Sequence, residues 1–327
     1  MREMREIGGY IEFEKQNGIE YHSKAIALNS ARNCFAYLIN SRNIRKVYLP
    51  YFLCDSVKEV CDKAGIEIEY YHINKEFRPI FHNSLKQNEW LYLVNYYGQF
   101  SNEELRGYVT QFKNVIIDNV QSFFQMPIEG VDTIYTCRKF FGVPDGAYLY
   151  TDAVVKEKLS FDLTYNRLKH LAGRLEKTGN DFYREYIEAE EDFVGRPILK
   201  MSKFTRNLLC GIDYERIKSV REKNFLFLYD NLNKLNKLSV NFSEGPFMYP
   251  LYVQKGSEIR KRLQENKIYI SILWPDVFKK CGKNELEHHL AENILPLPVD
   301  QRYGQEDMQY MINKLNDIME EVKSNEY

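Results

Sequence analysis

A carboxylate and a lysine that could act together stand 21 residues apart in this chain of 327 residues. Asp118 ends the apolar run NVIID, which predicts a short buried strand. Lys139 lies in the segment CRKFFGVPD, between the predicted strands DTIYT (132–136) and GAYLYT (146–151). A lysine among aromatic neighbours can be partly desolvated, which lowers its pKa and makes its amine a nucleophile for a carbonyl group.

Each of these residues has an ordinary explanation when it stands alone. An Asp after a strand can cap the next turn through its own backbone, and a single lysine is usually a solvated surface charge. The combination is more specific. An acid at a strand end, an amine on a later strand-to-strand loop, and then Asp145 and Gly146 form the layout that a pyridoxal phosphate (PLP) site needs. The amine would form a Schiff base, and the acid would lie beneath the pyridinium nitrogen.

A PLP site also needs a cup for the phosphate, and the segment ALNSARNCFAYLIN offers one. Ser30, Ala31 and Arg32 precede a helix that is predicted to start near Asn33. A helix N-terminus presents unpaired N–H groups and a positive dipole end to an anion, and an arginine adds a bidentate phosphate donor. The Asn-Ser pair could equally be a plain N-cap. The sequence contains no Gly-x-Gly-x-x-Gly or Walker-type loop that would compete with this segment.

The arrangement of the predicted elements indicates an α/β protein. From about residue 33, helical segments alternate with short apolar strands, which is typical of a mostly parallel sheet covered by helices. Two long charged segments then predict helices, and a smaller α/β pattern with three candidate strands closes the chain. The helical segments are 156–177 and 214–238, and the closing strands are FMYPLYVQ (247–254), IYISILWP (268–275) and ENILPLPV (292–299).

Two domains are predicted from this arrangement. Residues 1–210 form a large cofactor-binding domain and residues 211–327 a small C-terminal α/β domain. The N-terminal stretch of roughly 20 residues is expected to pack on the small domain.

Composition narrows the classes of partner and cofactor. The 45 Lys and Arg residues nearly balance the 46 Asp and Glu residues, so no overall basic field favours nucleic acid. No apolar run approaches the roughly 20 residues that a membrane span needs, and cytoplasm is the expected location.

The six cysteines are scattered without a Cys-x-x-Cys pair, which argues against a disulfide or a zinc site. His288 and His289 cannot share one helix face, so no metal is predicted there.

The order of these pieces resembles the DegT/StrS family of sugar aminotransferases, which are fold-type I PLP enzymes. That family typically has Ser-Gly-Thr before its first helix, a strand ending in Pro with aromatic residues after it, a Tyr-Gly-Gln segment, Asp-x-x-His/Gln, and a Lys followed by Gly-Glu-Gly-Gly. The corresponding residues here are Ser30-Ala31-Arg32, Pro50-Tyr51-Phe52, Tyr97-Gly98-Gln99, Asp118-Asn119-Val120-Gln121, and Lys139 followed by Asp145-Gly146-Ala147. The resemblance covers nearly the whole chain.

The resemblance implies a role for each matched position. Lys139 is expected to hold PLP and to move the proton between the substrate and the cofactor, while Asp118 keeps the pyridine nitrogen protonated. Gln121 is expected to bond the phenolic oxygen. The remaining positions that the resemblance implies are Ala31, Arg32 and Thr136 for the phosphate, and Tyr51 or Phe52 beside the ring.

The resemblance implies an aminotransferase that works as a homodimer without nucleic acid or membrane. It would move an amino group from an amino acid, with glutamate as first choice, to a keto group on a nucleotide sugar, in the building of polysaccharides. The segment 141–147, FGVPDGA, departs from the family's loop. A second hypothesis is therefore a degenerate aminotransferase fold that binds PLP or a partner without turnover. A nicotinamide-dependent enzyme would need a Gly-rich strand-to-helix turn, and the sequence has none.

Overall fold

The computed structural model describes residues 7–324. Its strands are β1 (Ile26–Leu28), β2 (Lys46–Pro50), β3 (Glu67–Ile73), β4 (Pro79–Ile80), β5 (Glu89–Val94), β6 (Val115–Asp118), β7 (Asp132–Thr136), β8 (Ala147–Tyr150), β9 (Met248–Tyr252) and β10 (Ile294–Pro298). Its helices are α1 (Ala31–Arg42), α2 (Asp55–Ala64), α3 (Asn102–Phe112), α4 (Lys169–Glu176), α5 (Tyr183–Glu191), α6 (Lys203–Cys210), α7 (Tyr214–Leu232), α8 (Gly256–Glu265), α9 (Val277–Lys280), α10 (Leu286–Asn293) and α11 (Gln305–Ser324).

The first eight strands form one sheet in the order β1-β8-β7-β6-β5-β2-β3-β4. The five strands from β7 to β3 in this order run parallel, and β8 and β4 run antiparallel to their neighbours. This confirms the predicted α/β fold with a mostly parallel sheet. After β2 the chain continues to β3 on one side of the sheet, and after β5 it continues to β6 on the other side. The carboxyl ends of β2 and β5 therefore form a topological switch point, and ligands bind beyond the strand ends at such a point.

Helix α1 begins earlier than the sequence predicted. Ser30 is its N-cap and accepts a hydrogen bond from the backbone N–H of Asn33 at 3.3 Å. The helix therefore starts at Ala31, two residues before the predicted start at Asn33, because a serine hydroxyl satisfies the N–H three residues on. Asn43 ends the helix in the left-handed conformation. Ala31 and Arg32 thus lie inside the first turn.

The remaining two strands, β9 and β10, pair antiparallel, with Ile294 opposite Tyr252. Helices α7 and α8 pack with this pair, and α11 packs on α7 and α8. The strand predicted at 268–275 is wrong, since these residues have no regular structure. Trp274 of this segment instead packs on Phe52, with ring centroids 4.3 Å apart, and on Tyr96 at the edge of the large sheet. The segment 268–275 therefore contacts the eight-stranded sheet through its side chains and does not pair as a strand.

The long helix predicted over 156–177 is also mostly wrong, because only α4 forms there. Phe161 pairs with Lys200 in an isolated bridge, and the buried Asp162 carboxylate bonds to Arg167 at 2.8 Å and to Arg196 at 3.1 Å. Residues with helical spacing are thus used in tertiary ion pairs, which override the local preference.

Residues 7–25 cross the molecule without regular structure and are held at a few points. Phe13 packs edge-on against Phe204 of α6, and the backbone N–H of Gln16 donates to Asn207. His22 is fully buried and lies within hydrogen-bond distance of the Phe123 carbonyl, in the loop after β6, and of the Tyr150 hydroxyl at the end of β8. Among residues 7–324, no helix combines the length and the apolar character that a membrane crossing requires.

Candidate active site

Asp118 occupies the carboxyl end of β6, where the sheet register places it beside Val94 of β5. Its side chain is buried. One carboxylate oxygen accepts a hydrogen bond from the Tyr92 hydroxyl at 2.9 Å, and the other accepts from the backbone N–H of Val120 at 2.9 Å. Burial raises the pKa of Asp118, and the nearby Lys139 charge and these two hydrogen bonds oppose that rise. The carboxylate is therefore fixed in position at the switch-point edge.

Lys139 lies near enough to Asp118 for each group to shift the pKa of the other. Its pKa is lowered, first by burial, while the charge of Asp118 and the Cys54 thiol act in the opposite direction. Lys139 as a whole residue is exposed to solvent, so it lies at the surface of the protein and not in its core. The amine lies 5.7 Å from the centre of the Phe247 ring. A lysine in these surroundings deprotonates more readily than a solvated one.

Two side chains from the part of the chain around β9 and β10 hold the backbone next to Lys139. The Phe140 carbonyl accepts hydrogen bonds from Arg221 at 3.3 Å and from Gln301 at 2.8 Å. Arg221 is almost fully buried and also donates to the carbonyls of Pro246 and Phe247. These bonds tie the lysine loop to the segment that carries the Phe247 ring.

The first turn of α1 lies beside the same loop, because the backbone N–H of Gly146 donates to the Asn29 carbonyl at 2.9 Å. One terminal nitrogen of Arg32, Nη1, is buried and has no hydrogen-bond partner within residues 7–324. The backbone N–H groups of Ala31 and Arg32 are also free of hydrogen bonds in this part of the chain. A buried unpaired guanidinium nitrogen near a helix N-terminus suits a bound anion. Thr136, buried at the end of β7, has a hydroxyl without a hydrogen bond to residues 7–324.

Gln121 is buried in the loop after Asp118, and its carbonyl oxygen accepts from the backbone N–H of Tyr97 at 2.7 Å. Tyr97 has a left-handed backbone, with φ of 53°. Strain of this kind persists only where surrounding contacts hold it. The side-chain NH₂ of Gln121 forms no hydrogen bond with the described residues, so it is free to donate to a ligand oxygen.

The two aromatic residues expected beside the ring are both engaged elsewhere within the chain. Tyr51 stacks on Tyr70 and on His72, with centroids 5.0 and 4.6 Å away. Phe52 is fully buried against Trp274. Cys54, two residues further on, lies near enough to Lys139 to oppose the lowering of the pKa of its amine.

Two charged residues of the lysine loop point to partners away from the Asp118 carboxylate. Asp145 is buried and accepts from both the backbone N–H and the hydroxyl of Ser202 at 2.8 Å, at the start of α6. Arg138 pairs with Glu190 and lies 4.3 Å from the Phe193 ring centre. Asp145 is thus committed to anchoring α6, although the sequence layout placed it with the cofactor residues.

Several residues of the site were not found from the sequence: Tyr92, Cys54, Arg221 and Phe247. Tyr92 had a usable signal, since it stands two residues before Val94, the neighbour of Asp118, and so lies on the same face of the sheet as Asp118. Arg221 and Phe247 meet the lysine loop only through the tertiary fold.

No protein-family model matches the chain, and no curated protein sequence matches it. Among solved structures it is similar to the sugar aminotransferase CalS13 from Micromonospora echinospora, with a TM-score of 0.60 and 11% identity over 90% of this chain and 87% of that one. It is also similar to a DegT DnrJ EryC1 StrS aminotransferase from Brucella abortus, with a TM-score of 0.59, 13% identity, and 90% and 85% of the two chains covered.

A third similar structure is NtdA from Bacillus subtilis with bound cofactor PMP, with a TM-score of 0.59 and 14% identity over 90% of this chain and 73% of that one. The chain therefore has the fold of the solved sugar aminotransferases. This confirms, for the fold, the resemblance that the order of the motifs predicted.

Proposed function

We propose that this protein is a PLP-dependent aminotransferase, in which Lys139 binds the cofactor and acts as the proton carrier. The observation that carries this proposal is the proximity of Lys139 and Asp118, which lie at or just after the carboxyl ends of the neighbouring strands β7 and β6 and each shift the pKa of the other. The PMP in the NtdA structure is the aminated form of the same cofactor.

The residues present fit PLP at each of its polar ends. The buried Nη1 of Arg32 and the free N–H groups of the first α1 turn suit the phosphate, with the Thr136 hydroxyl as a further donor. The Asp118 carboxylate suits the pyridine nitrogen, and the NH₂ group of Gln121 suits the phenolic oxygen. When bound, PLP supplies an electron sink for the electron pair left as a proton leaves the substrate carbon.

The chain's own residues do the remaining work. Lys139 would take the proton from the substrate carbon and pass it to the cofactor, and its lowered pKa favours the neutral amine that can accept a proton. Tyr92 and Val120 donate hydrogen bonds to the Asp118 carboxylate and so favour the charged form that would face the cofactor nitrogen. Arg221 and Gln301 hold the backbone that positions the lysine.

The test is covalent labelling of the wild-type protein with PLP and borohydride, followed by mass mapping. Lys139 should carry the label, and Lys139→Ala should lose both the label and the visible absorbance of the bound cofactor. Lys200→Ala is the matched control, since Lys200 is an exposed lysine 5.5 Å from the Phe161 ring centre and outside the site. Labelling at another lysine would overturn the assignment. Labelling at Lys139 without any half-reaction would instead support the degenerate alternative.

We further propose that the acceptor is a keto sugar, with a nucleotide sugar as the preferred form and glutamate as the amino donor. An enzyme for small keto acids needs a guanidinium fork for the substrate carboxylate. Arg138, the nearest arginine to Lys139 in sequence, is already paired with Glu190 and packed on Phe193. A similar protein, CalS13, is a sugar aminotransferase.

The acceptor is tested in single-turnover reactions of the aminated cofactor form with nucleotide 4-keto sugars and with 2-oxo acids. Reaction with the sugars, and little loss in Arg138→Ala, is the expected result. Rapid reaction with oxo acids alone, abolished in Arg138→Ala, would overturn the sugar acceptor and leave PLP binding intact. The homodimer that the family resemblance implies is tested by light scattering of the purified protein.

A further inference from the structure

A second cluster of ligating side chains lies where strand β3 meets helix α10. It consists of His72, Glu285 and Glu287, and one ligand atom from each lies within 4.8 Å of the others. His72 and Glu287 are 215 positions apart in sequence. Ligands this far apart form no local motif that the sequence could show. The prediction of no metal rested on the cysteines and the His288-His289 pair.

The carboxylate of Glu287 is the most unusual member of the cluster, because it is 1% exposed and its ion-pair partner is an imidazole. One oxygen accepts from the backbone N–H of Ile73 at 2.9 Å and lies 3.1 Å from Nδ1 of His72. Among residues 7–324, no Lys or Arg forms an ion pair with this carboxylate. A buried carboxylate is costly unless it is paired or coordinates a metal.

The other two ligands are accessible to an ion arriving from solvent. The side chain of His72 is 48% exposed, and its ring is held by stacking on Tyr51 at 4.6 Å. Glu285 is exposed at the N-cap position of α10 and makes no capping hydrogen bond there. Glu287 reaches across to β3 instead of bonding to the first turn of its own helix. Two exposed ligands thus flank a buried one.

We propose that His72, Glu285 and Glu287 bind one divalent transition-metal ion, with Zn²⁺ as the best match, and that this ion joins β3 to α10. Zinc takes imidazole nitrogen and carboxylate oxygen at about 2.0–2.2 Å in a tetrahedral arrangement, so two ligands of one ion lie about 3.3–3.6 Å apart. His72 Nδ1 and the Glu287 oxygen already lie 3.1 Å apart. The 4.8 Å spread of the three ligand atoms therefore has to close by more than about 1 Å, through movement of the exposed Glu285 side chain. Three protein ligands leave the fourth position to water.

The choice of metal follows from the ligand set. Mg²⁺ and Ca²⁺ prefer oxygen ligands alone, whereas an imidazole favours zinc and its transition-metal neighbours. The ion would bind only where β3 and α10 are folded together, so it should raise the stability of the folded protein. This site contains none of the residues proposed to hold PLP, and its test is independent of transamination.

The experiment is calorimetric titration of ZnCl₂ into the full-length, tag-free protein after removal of metals with a chelator. One ion should bind per chain, and thermal unfolding should move to higher temperature with zinc. His72→Ala and Glu285→Gln should each weaken binding at least tenfold. Both residues are exposed, so far-UV circular dichroism should show unchanged folds. His82→Ala removes an exposed histidine outside the cluster and should bind like wild type, while MgCl₂ should give no saturable heat.

Two results would overturn the proposal. One is a wild-type protein that shows no saturable zinc binding. The other is His72→Ala and Glu285→Gln variants that bind zinc as tightly as wild type. Cys54→Ser is included because a thiol near Lys139 could itself bind zinc, and loss of binding in that variant alone would place the ion at the thiol and refute the cluster.

Discussion

Acid should destabilise this protein through a single buried histidine, His22. Its ring is fully buried, with Nε2 2.8 Å from the Phe123 carbonyl and Nδ1 3.1 Å from the Tyr150 hydroxyl. The carbonyl can only accept, so Nε2 carries the hydrogen and Nδ1 accepts from the tyrosine. This neutral ring links the N-terminal segment to the loop that follows Asp118. A second proton would have to enter at Nδ1 and break the bond to Tyr150.

Burial lowers the pKa of His22 to about 4 from its usual 6.5, and the hydrogen bond to Phe123 opposes this only in part. Between these two values the unfolded chain binds a proton that the folded chain does not. Stability is therefore fully present above pH 6.5 and falls as the pH drops toward 4, by roughly 1.4 kcal/mol per unit. Over the whole interval, the free energy of unfolding should fall by about 3 kcal/mol on account of this one group.

The measurement is urea unfolding of wild type and of His22→Gln at a series of pH values from 7.5 to 4.5. The glutamine keeps a donor for the Phe123 carbonyl but does not titrate, so subtracting the two curves removes the contribution of other ionisable groups. The variant should be less stable at pH 7.5, and its disadvantage should shrink as the pH falls. Parallel curves across the range would refute the assignment of this pH dependence to His22.

Three further substitutions test other parts of the site. Arg32→Ala should weaken PLP binding ten- to a hundredfold in absorbance titrations, since it removes a charge-assisted phosphate contact, and unchanged affinity would place the phosphate elsewhere. Asp145→Asn should lower the free energy of unfolding by about 1–3 kcal/mol in urea, because an amide cannot accept from Ser202 at both oxygens. Arg221→Met should lower the free energy of unfolding by about 3 kcal/mol in the same assay, because the Pro246 and Phe247 carbonyls lose this donor and the Phe140 carbonyl keeps only Gln301. A neutral effect would show that water replaces the guanidinium.

The features that the sequence predicted well are those encoded by adjacent residues. The runs before Asp118 and on either side of Lys139 became β6, β7 and β8, because apolar runs bounded by turn residues leave few alternatives to a buried strand. The order of strands and motifs was enough to identify the fold. The domain boundary at 210 and the roles of the site residues stay predictions.

The features that the sequence missed depend on contacts between distant segments. Residues 268–275 alternate like a strand, but Trp274 finds its partners on Phe52 and Tyr96 across the molecule. Tyr51 stacks on His72, a contact that the sequence did not indicate, and its place beside the cofactor ring stays a prediction. Periodicity reports which residues are apolar, and it carries no information on which distant segment will cover them.

The unusual loop after Lys139 does not imply a lost active site, because both of its ends are anchored. At the start, the Phe140 carbonyl is held by Arg221 and Gln301. At the end, Asp145 is fixed to Ser202 of the α6 N-terminus. A Gly-rich loop would place its lysine through backbone conformation, whereas this chain does so with buried side-chain bonds. Arg221 bonds to the Phe140, Pro246 and Phe247 carbonyls together, so one buried arginine fixes the lysine loop to the segment that carries the Phe247 ring.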